Sequence, residues 1–343
     1  MSSLTLEASS PLPPPLSPQP GPLWSLALHP SNTSLTIVGS SPTHGYRFHV
    51  YTFPDLSPLP TGDDDHDLGF DKRTLRCCIY DPTSSLTSTT LALGSFSGSI
   101  SILHSSSLSS FSLTQTLQGQ ESEIKSLSYT PSADILASSS RDKTLWLWDT
   151  QTYEPLSILS SHTGDVKSCL FLTPLKIASC GYDGLLKIWE EDEDGDWSQT
   201  QNLEPEKGEE LGDDTLWCIG GMGSSYRIFV GNGKGEVIVY QDENGRYEEI
   251  GRIEGNNEEC YEVNLPSVKA GHCGILRTGG MGFEVFREKS SFGQIDGEKF
   301  RKDCEVKYAH DGEVNCVKWC RGGERVVSVG DDGRVRVWKY DIG

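Results

Sequence analysis

A strand-like pattern recurs seven times along the chain, and each copy ends in a large aromatic or aliphatic anchor residue. The anchors stand at positions 51, 103, 148, 189, 240, 286 and 338, so neighbours are 41 to 52 residues apart. Each anchor closes a run of β-branched, aromatic or aliphatic residues, as in 186–189 and 335–338. Repeats of this length that hold only strands are typical of propeller blades. The sequence therefore predicts an all-β fold, a seven-bladed β-propeller.

Within a repeat, strand runs alternate with turn residues. In the fourth repeat an apolar run at 166–172 precedes a second run at 176–180, a tight turn at 182–184 and the anchor strand. No helical periodicity interrupts these runs. Runs separated by Gly, Asp and Asn predict antiparallel meanders.

The two ends of the chain predict how the ring closes. The last repeat ends at its anchor strand, so its blade lacks an outer strand. Residues 2–8 can supply that strand, because pairing there removes an exposed sheet edge. A proline-rich tract then leads to the first inner strand at 23–28. We therefore divide the chain into a closing strand with a proline-rich linker at 1–22 and a propeller at 23–343.

The charge argues against two classes of ligand as the main role. The chain has 49 acidic and 29 basic residues and a formal net charge of −20. Binding to nucleic-acid phosphates or to an anionic membrane surface needs clustered Lys and Arg, so neither is expected as the main role. The first thirty residues lack the basic and apolar regions of a secretory signal, so none is expected, and the sequence has no run of about 20 apolar residues that would span a membrane.

The acidic residues concentrate in one stretch. Residues 190–214 contain twelve acids and one base, Lys207. Such blocks are usually solvated loops that do not pack, and we expect an acidic loop here between the fourth and fifth blades. The functional alternative is a docking surface for a basic partner.

Ten cysteines are scattered along the chain without a C-x-x-C pair. Zinc and iron–sulfur sites need several soft ligands at converging spacings. The sequence therefore predicts no metal site and no cofactor. Most of the cysteines lie in apolar runs, where a free thiol acts as a small hydrophobic side chain, and reduced thiols are expected of an intracellular protein.

Three repeats carry a polar set at fixed offsets from the anchor. A serine stands ten residues before the anchor Trp, and an aspartate stands six residues before it. The fourth and seventh repeats add a histidine, which is replaced in the third repeat by Gln120. The sets are His162, Ser179, Asp183 and Trp189 in the fourth repeat, His310, Ser328, Asp332 and Trp338 in the seventh, and Ser138, Asp142 and Trp148 in the third. Since buried polar groups need partners, we expect each set to form an internal hydrogen-bonded network.

The same residue types permit a catalytic interpretation, because Ser, His and Asp form hydrolase triads. A hydrolase needs its serine exposed beside oxyanion donors, and the G-x-S-x-G nucleophile elbow does not accompany these residues. The set also recurs at one register in two repeats, which favours an architectural role. A glycine-rich run at 231–235 precedes a strand pattern and is therefore interpreted as a blade turn, with Lys234 in place of the aspartate, and not as a phosphate loop.

These features resemble the WD40 repeat, with Trp148-Asp149 as the one literal Trp-Asp pair. Further motifs are similar to one family within that class. They are Arg73-Thr74-Leu75-Arg76, Ser140-Arg141-Asp142-Lys143, His162-Thr163-Gly164-Asp165-Val166-Lys167, the stretch from Tyr182 to Trp197, Val314-Asn315-Cys316-Val317 and Val337-Trp338-Lys339-Tyr340. In this order they resemble the cytosolic iron–sulfur protein assembly WD40 proteins, the Ciao-type family.

The resemblance implies a non-catalytic scaffold that helps to target and insert iron–sulfur clusters into cytosolic and nuclear apo-proteins. It implies protein partners, namely a small targeting adaptor, a HEAT-repeat client-recognition protein, an iron-only-hydrogenase-like cluster carrier and the apo-proteins themselves. It also implies a cytoplasmic location, with the nucleus as a further compartment. Two alternatives remain open. One is an adaptor of another complex, such as a ubiquitin-ligase substrate receptor or a chromatin reader, and the other is a propeller enzyme with titratable groups along its channel.

Candidate partner-binding residues follow from the geometry of a blade. The residue just before the aspartate of each set projects to the face with the ligand-binding loops, which selects Arg141, Tyr182 and Asp331. The resemblance marks Arg141 as functional, and Arg and Tyr are enriched at binding hot spots. The alternative is a surface arginine paired with a neighbouring acid. Weaker candidates, three residues after the histidine or its equivalent, are Glu123, Asp165 and Glu313.

Overall fold

The architecture is all-β. The computed structural model describes residues 2–11, 21–41, 45–59, 73–108, 110–205, 214–222, 227–266, 274–288, 299–320 and 322–341. Within these ranges the chain forms 28 strands and no helix, so none of the described segments is a helix that could cross a membrane.

The strands form seven four-stranded antiparallel sheets, which are the blades. Blade one contains β2 (Leu23–Leu28), β3 (Ser34–Gly39), β4 (Arg47–Thr52) and β5 (Pro58–Leu59). Blade two contains β6 (Leu75–Tyr80), β7 (Thr89–Ser95), β8 (Ile100–Ser105) and β9 (Ser112–Leu117). Blade three contains β10 (Ile124–Tyr129), β11 (Ile135–Ser140), β12 (Leu145–Asp149) and β13 (Pro155–Leu159). Blade four contains β14 (Val166–Thr173), β15 (Lys176–Gly181), β16 (Leu186–Glu191) and β17 (Trp197–Leu203).

The remaining blades follow the same order, except that the seventh takes a strand from the other end of the chain. Blade five contains β18 (Leu216–Met222), β19 (Arg227–Asn232), β20 (Val237–Glu243) and β21 (Arg246–Ile253). Blade six contains β22 (Val263–Asn264), β23 (Gly274–Gly279), β24 (Gly282–Glu288) and β25 (Phe300–Val306). Blade seven contains β26 (Val314–Trp319), β27 (Arg325–Gly330), β28 (Arg334–Asp341) and β1 (Ser3–Pro11).

The innermost strand of each blade lines a central channel. Contacts between innermost strands run from β2 through β6, β10, β14, β18, β22 and β26 and return to β2. All seven predicted anchors lie on the third strand of their blades and are at most 7% exposed. The seven-bladed propeller predicted from the anchor spacing is therefore confirmed.

The hydrophobic core lies between neighbouring blades. One cluster joins Leu26 and Ile37 of blade one to Val327 and Val337 of blade seven, and all four side chains are buried. Burying an aliphatic side chain of this size contributes about 1.5–3 kcal/mol. Each blade is therefore stabilised mainly by the two blades beside it.

The two ends of the chain close the ring. β1 pairs antiparallel with β28, with one register shift between Leu6 and Ala8. Closure of the last blade by an N-terminal strand is therefore confirmed, and the strand continues to Pro11, beyond its predicted end at Ala8. Residues 12–20 lie outside the described residues, so the linker remains a prediction.

The prediction of one acidic loop over 190–214 is wrong in its extent. β16 continues to Glu191, and β17 forms the outer strand of blade four inside this stretch. The acids fall into two groups on either side of the uncharged strand β17, whose Trp197 packs edge-on against Phe171 at a centroid distance of 6.2 Å. Counting charge over the whole stretch concealed this strand.

The described cysteines pack as small apolar side chains. Of nine described cysteines, eight are buried and Cys304 is half-buried. Burial raises the pKa of the Cys78, Cys169 and Cys316 thiols to about 12, so they are protonated at neutral pH. Cys273 lies outside the described residues.

Removing residues 2–11 tests the closure of the ring. The deletion leaves β28 as an exposed edge and removes the ion pair between Glu7 and Arg325 at 2.6 Å. We expect the Tm to fall by more than about 5 °C and the chain to self-associate, because an open sheet edge pairs with other chains. Thermal unfolding and light scattering measure the two effects.

A matched control separates strand pairing from the ion pair. Glu7→Gln in the full chain removes the charge and keeps the strand, so it should cost no more than about 1 kcal/mol. A truncated chain that stays monomeric and melts like the full chain would contradict the role assigned to β1.

Candidate protein-binding site at the channel mouth

Blade four holds a serine-centred chain of hydrogen bonds. Trp189 Nε1 donates to Ser179 Oγ at 2.9 Å, and Ser179 Oγ lies 2.8 Å from His162 Nε2. His162 Nδ1 lies 2.9 Å from Asp183 Oδ2. Because the serine oxygen accepts from the indole, its own proton is directed to the histidine, which in turn donates to the carboxylate. These hydrogen bonds tie the third strand of the blade to the loop that precedes its first strand.

Blade seven repeats this geometry. Trp338 Nε1 donates to Ser328 Oγ at 2.9 Å, and His310 Nε2 lies 2.8 Å from the same oxygen. His310 Nδ1 lies 2.8 Å from Asp332 Oδ1.

Blade three reaches the same result with Gln120 in place of histidine. Ser138 Oγ donates to Gln120 Oε1 at 2.6 Å and accepts from Trp148 Nε1 at 2.9 Å. The Asp142 carboxylate accepts instead from the backbone N–H of Glu121 at 2.8 Å. An amide oxygen thus replaces the imidazole as the acceptor for the serine.

The burial of these serines bears on the catalytic interpretation. Ser179 and Ser328 are 0% exposed, and each is enclosed by its indole and imidazole partners. A substrate carbonyl cannot approach the serine oxygen in this arrangement. The geometry therefore favours an architectural role for the set.

Blades five and six use other polar contacts. In blade five, Lys234 stands at the aspartate position, and its backbone N–H donates to Asn232 Oδ1 at 3.0 Å. In blade six the buried Arg277 pairs with Glu284 and donates to the Gly235 carbonyl at 2.6 Å. Sequence reasoning missed Arg277, although an arginine inside an otherwise apolar strand run is a usable signal.

The three main candidate residues are held by one recurring backbone bond. Each opens the turn between the second and third strands of its blade. Its backbone N–H donates to the carbonyl of the residue immediately before the innermost strand of that blade. These bonds join Arg141 to Glu123 at 2.9 Å, Tyr182 to Asp165 at 2.8 Å and Asp331 to Glu313 at 3.0 Å. The six candidates thus form three pairs at one end of the propeller. We call the end that carries these turns the mouth face.

Five of the six candidates are accessible to solvent. The Arg141 side chain is 63% exposed, and its guanidinium lies 3.9 Å from the partly exposed Asp165 carboxylate. Arg141 thus has an acidic neighbour, as the alternative interpretation expects, but remains open to a partner. Tyr182 is 55% exposed, and Asp331 and Glu313 are also exposed.

A cavity of about 560 Å³ lies in the channel. In six blades the innermost strand has a register shift at its second residue. A β-bulge re-aims the side chain of the extra residue, and here each such residue lines the cavity. Together with Tyr261 of blade six they form the mouth ring, which consists of Trp24, Arg76, Lys125, Lys167, Trp217, Tyr261 and Asn315.

Two cations of the mouth ring pack against aromatic side chains. The Arg76 guanidinium lies 4.7 Å from the centroid of Trp24. Lys167 Nζ lies 4.3 Å from the centroid of Trp217 and 4.6 Å from that of Tyr182. Lys167 therefore joins the mouth ring to the exposed mouth face.

Two carboxylates lie among the cations. The Glu123 side chain is 7% exposed and lies 3.3 Å from Arg76 and 2.6 Å from Lys125. The buried Glu123 thus differs from the other candidates, because it holds two mouth-ring cations. Burial and the charge of Lys125 lower the pKa of Lys167 to about 8, against the raising effect of Asp165.

Sequence reasoning found the mouth face but missed the mouth ring. The available signal was a polar or aromatic residue at the second position of an apolar inner strand, as at Trp24, Arg76 and Lys167. This signal can be interpreted only when the β-bulge is known, because the bulge turns these side chains toward the cavity, and the sequence of a single repeat does not show it.

The propeller-enzyme alternative needs titratable groups along the channel. In the cavity, Lys318 Nζ lies 2.8 Å from Glu262 Oε1. Burial alone would lower the pKa of Lys318, but the charge of Glu262 raises it, so Lys318 is protonated at neutral pH. Across the ranges that the structure describes, no three His, Cys, Asp or Glu side chains are grouped to hold a metal ion.

Comparison with known families identifies the repeat. The WD40 family, described as "WD domain, G-beta repeat", matches residues 111–149, 153–190 and 302–339. These segments contain the anchor strands of blades three, four and seven, which are the blades with serine-centred networks.

Relatives match over most of the chain. Two proteins named "Probable cytosolic iron-sulfur protein assembly protein 1", from Candida glabrata and Kluyveromyces lactis, are 30% and 29% identical to this chain over 291 residues. The matches cover 78% and 79% of this chain and 82% and 83% of the relatives. This chain belongs to the cytosolic iron–sulfur protein assembly protein 1 family.

Membership in the cytosolic iron–sulfur protein assembly protein 1 family confirms the resemblance seen in the motifs. A Neurospora crassa protein of the same name is 27% identical over 67% of this chain and 68% of its own length. A match over 67% of this chain extends beyond the three blades that contain the serine-centred set.

Ser179→Ala tests the network of blade four. The substitution leaves the Trp189 indole and the His162 imidazole without their shared partner in a buried site, which costs about 1–3 kcal/mol of unfolding free energy. Urea denaturation measures the change. Ser198→Ala, at an exposed position on β17 of the same blade, is the matched control and should change it by less than about 0.5 kcal/mol. Equal effects of the two substitutions would disprove the network's contribution.

Asp332→Asn tests the carboxylate of blade seven. Burial alone would raise the pKa of Asp332, but the hydrogen bond and the charge of His310 hold this pKa below its usual range. A lowered folded-state pKa stabilises the fold above the unfolded value of about 4, and this contribution is lost as the pH falls below that value. The variant should therefore be less stable at pH 7 and lose less stability than the parent between about pH 4 and pH 2.

Denaturant titrations at pH 7, 4 and 2 measure this dependence. Asp341→Asn, which alters an exposed carboxylate at the end of β28, is the control and should follow the parent. Parallel pH profiles for the parent and Asp332→Asn would contradict the assignment.

Proposed function

We propose that this chain is a non-catalytic scaffold of cytosolic iron–sulfur protein assembly, which helps to target clusters to cytosolic and nuclear apo-proteins. Support comes from membership in a family whose members are named for this process. The propeller supplies a rigid platform, as a scaffold requires. The proposed site of action is the cytoplasm, with the nucleus as a further compartment.

The observation that carries the proposal is the presentation of Arg141 and Tyr182. Their side chains are more than half exposed, while their backbone N–H groups are bonded to the neighbouring loop. A fixed backbone lowers the entropy lost on binding, and these two residue types dominate many interfaces. The mouth face is therefore the proposed surface for protein partners.

Charge on the mouth face can orient such a partner. Blades three and four present Arg141 beside Asp165, whereas blade seven presents Asp331 and Glu313 across the channel. Complementary charges mainly fix the register of a complex and speed its formation. A partner that bears an acidic patch toward blades three and four and a basic patch toward blade seven fits this arrangement.

The proposed partners are those that the family resemblance implies. They are a small targeting adaptor, a HEAT-repeat client-recognition protein, an iron-only-hydrogenase-like cluster carrier and apo iron–sulfur proteins. Protein–protein interaction is the common requirement, and the clusters themselves are cargo.

Affinity copurification with Arg141→Glu tests the proposal. The tagged parent should recover the adaptor and the HEAT-repeat protein, and the variant should recover at least about fivefold less, since a hot-spot arginine contributes 1 kcal/mol or more. Quantitative mass spectrometry of the recovered proteins is the measurement. Arg301→Glu, which makes the same change at an exposed position on the outer strand of blade six, should recover parental amounts.

The outcomes separate the function from the surface. If the parent recovers neither protein and captures another complex, the assembly function is wrong. If both variants recover parental amounts with unchanged thermal melts, the partners bind elsewhere and the mouth-face assignment is wrong.

A further inference from the structure

The mouth ring has an excess of positive charge on blades two to four. Arg76, Lys125 and Lys167 line the cavity there, and Arg141 stands beside them. Two carboxylates, those of Glu123 and Asp165, contact these four cations. The group as a whole therefore carries two unbalanced positive charges.

Two of these cations are held largely away from water. The side chains of Lys125 and Lys167 are 11% and 9% exposed. Burying like charges together is unfavourable unless a counter-charge is supplied. The lowered pKa of Lys167 agrees with a site in which negative charge is in deficit.

Unpaired hydrogen-bond donors lie in the same cavity wall. The side chains of Trp24 and Trp217 line the cavity, and their Nε1 atoms are buried without an acceptor among the residues that the structure describes. A buried N–H without an acceptor costs about 1–3 kcal/mol. Both Nε1 atoms have almost no surface that is accessible from the cavity, so they donate to a ligand there only if the indoles turn.

We propose that the mouth ring binds a phosphoryl group held by Arg76, Lys125 and Lys167, and that the indoles of Trp24 and Trp217 turn so that their N–H groups become further donors. This inference goes beyond the scaffold function. It concerns a ligand of the isolated chain, so its failure leaves the assembly function untouched.

The geometry favours a phosphoryl group over a carboxylate. A carboxylate offers two oxygens in one plane and a single charge, whereas a phosphoryl group offers three or more oxygens and up to two charges. The cations come from three successive blades and the indoles from the blades on either side, so five neighbouring blades supply the donors. Across the channel Glu313 also lines the cavity, which disfavours an extended polyanion and limits the ligand to a compact one.

The phosphoryl group can come from two sources, a free phosphate compound or a phosphorylated side chain of a protein. Isothermal calorimetry on the purified full chain distinguishes them. Inorganic phosphate and pyrophosphate are titrated against sodium chloride at equal ionic strength, beside a phosphoserine peptide and the same peptide with Ser or Glu at that position. We expect saturable binding of the phosphoryl compounds and no saturable heat from chloride or the Ser peptide.

The order of affinities identifies the source. Tighter binding of pyrophosphate than of the phosphoserine peptide assigns a free phosphate compound, and the reverse assigns a phosphorylated protein; either supports the site. Absence of saturable binding by every phosphoryl compound overturns the proposal. Equal affinity for the Glu and phosphoserine peptides also overturns it, because the site would then be a carboxylate site.

Variants locate the binding. The double substitution Lys125→Met with Lys167→Met should weaken phosphoryl binding at least about tenfold, since two charge-assisted hydrogen bonds are lost. Trp217→Phe keeps a ring beside Lys167 but removes the indole donor, and should weaken binding about threefold or more. Lys143→Met, an exposed lysine in the mouth-face turn of blade three, is the control and should bind like the parent.

Thermal melts accompany each titration. If the double variant is unfolded, Trp217→Phe decides the question by itself. Parental affinity in a folded Trp217→Phe variant and in a folded double variant would place the phosphoryl site elsewhere and overturn the proposal.

Discussion

Pairing of β1 with β28 closes the ring of seven blades. It completes the seventh blade from the opposite end of the chain and so fixes blade seven against blade one. The cluster around Leu26 and Val337 spans this junction, and Asn315 Nδ2 donates across it to the Leu23 carbonyl at 2.9 Å. The mouth ring also depends on closure, because its residues come together only when all seven innermost strands surround one channel.

Polar contacts stabilise the closed ring both within single blades and between neighbouring blades. Within blades three, four and seven, a buried serine links the anchor indole to the loop above it. Between blades five and six, Arg277 takes over part of this role by donating to the Gly235 carbonyl of the neighbouring blade. Blade six, which has no serine-centred set, is therefore tied to blade five by a hydrogen bond between the blades.

The sequence was sufficient for features that repeat at fixed offsets. The anchors, the Ser and Asp positions and the closing strand could be predicted because each follows from periodicity or from the need to cover a sheet edge. The strand β17 could not be predicted, since acids on both sides of it concealed an uncharged segment. The contacts of Arg277 and Glu123 could not be predicted either, because their partners Gly235 and Arg76 are distant in the sequence.

The mouth ring shows the same limit most clearly. Trp24 and Arg76 are 52 positions apart, and nothing in either repeat indicates that the guanidinium lies over the indole. Only closure and the shared bulge place both side chains in one cavity. Binding features of a propeller are thus properties of the ring, whereas the serine-centred networks are properties of the single blade.

The most direct test of the scaffold function is cluster delivery in cells depleted of this chain. The activity and the radio-iron content of a cytosolic iron–sulfur enzyme would be measured beside those of a mitochondrial one. Both measurements would be repeated after the parent chain or the Arg141→Glu variant is reintroduced. We expect depletion to lower both quantities for the cytosolic enzyme alone, the parent chain to restore them and Arg141→Glu to restore them incompletely. Unchanged cytosolic activity after depletion, or an equal loss in both compartments, would contradict the scaffold function.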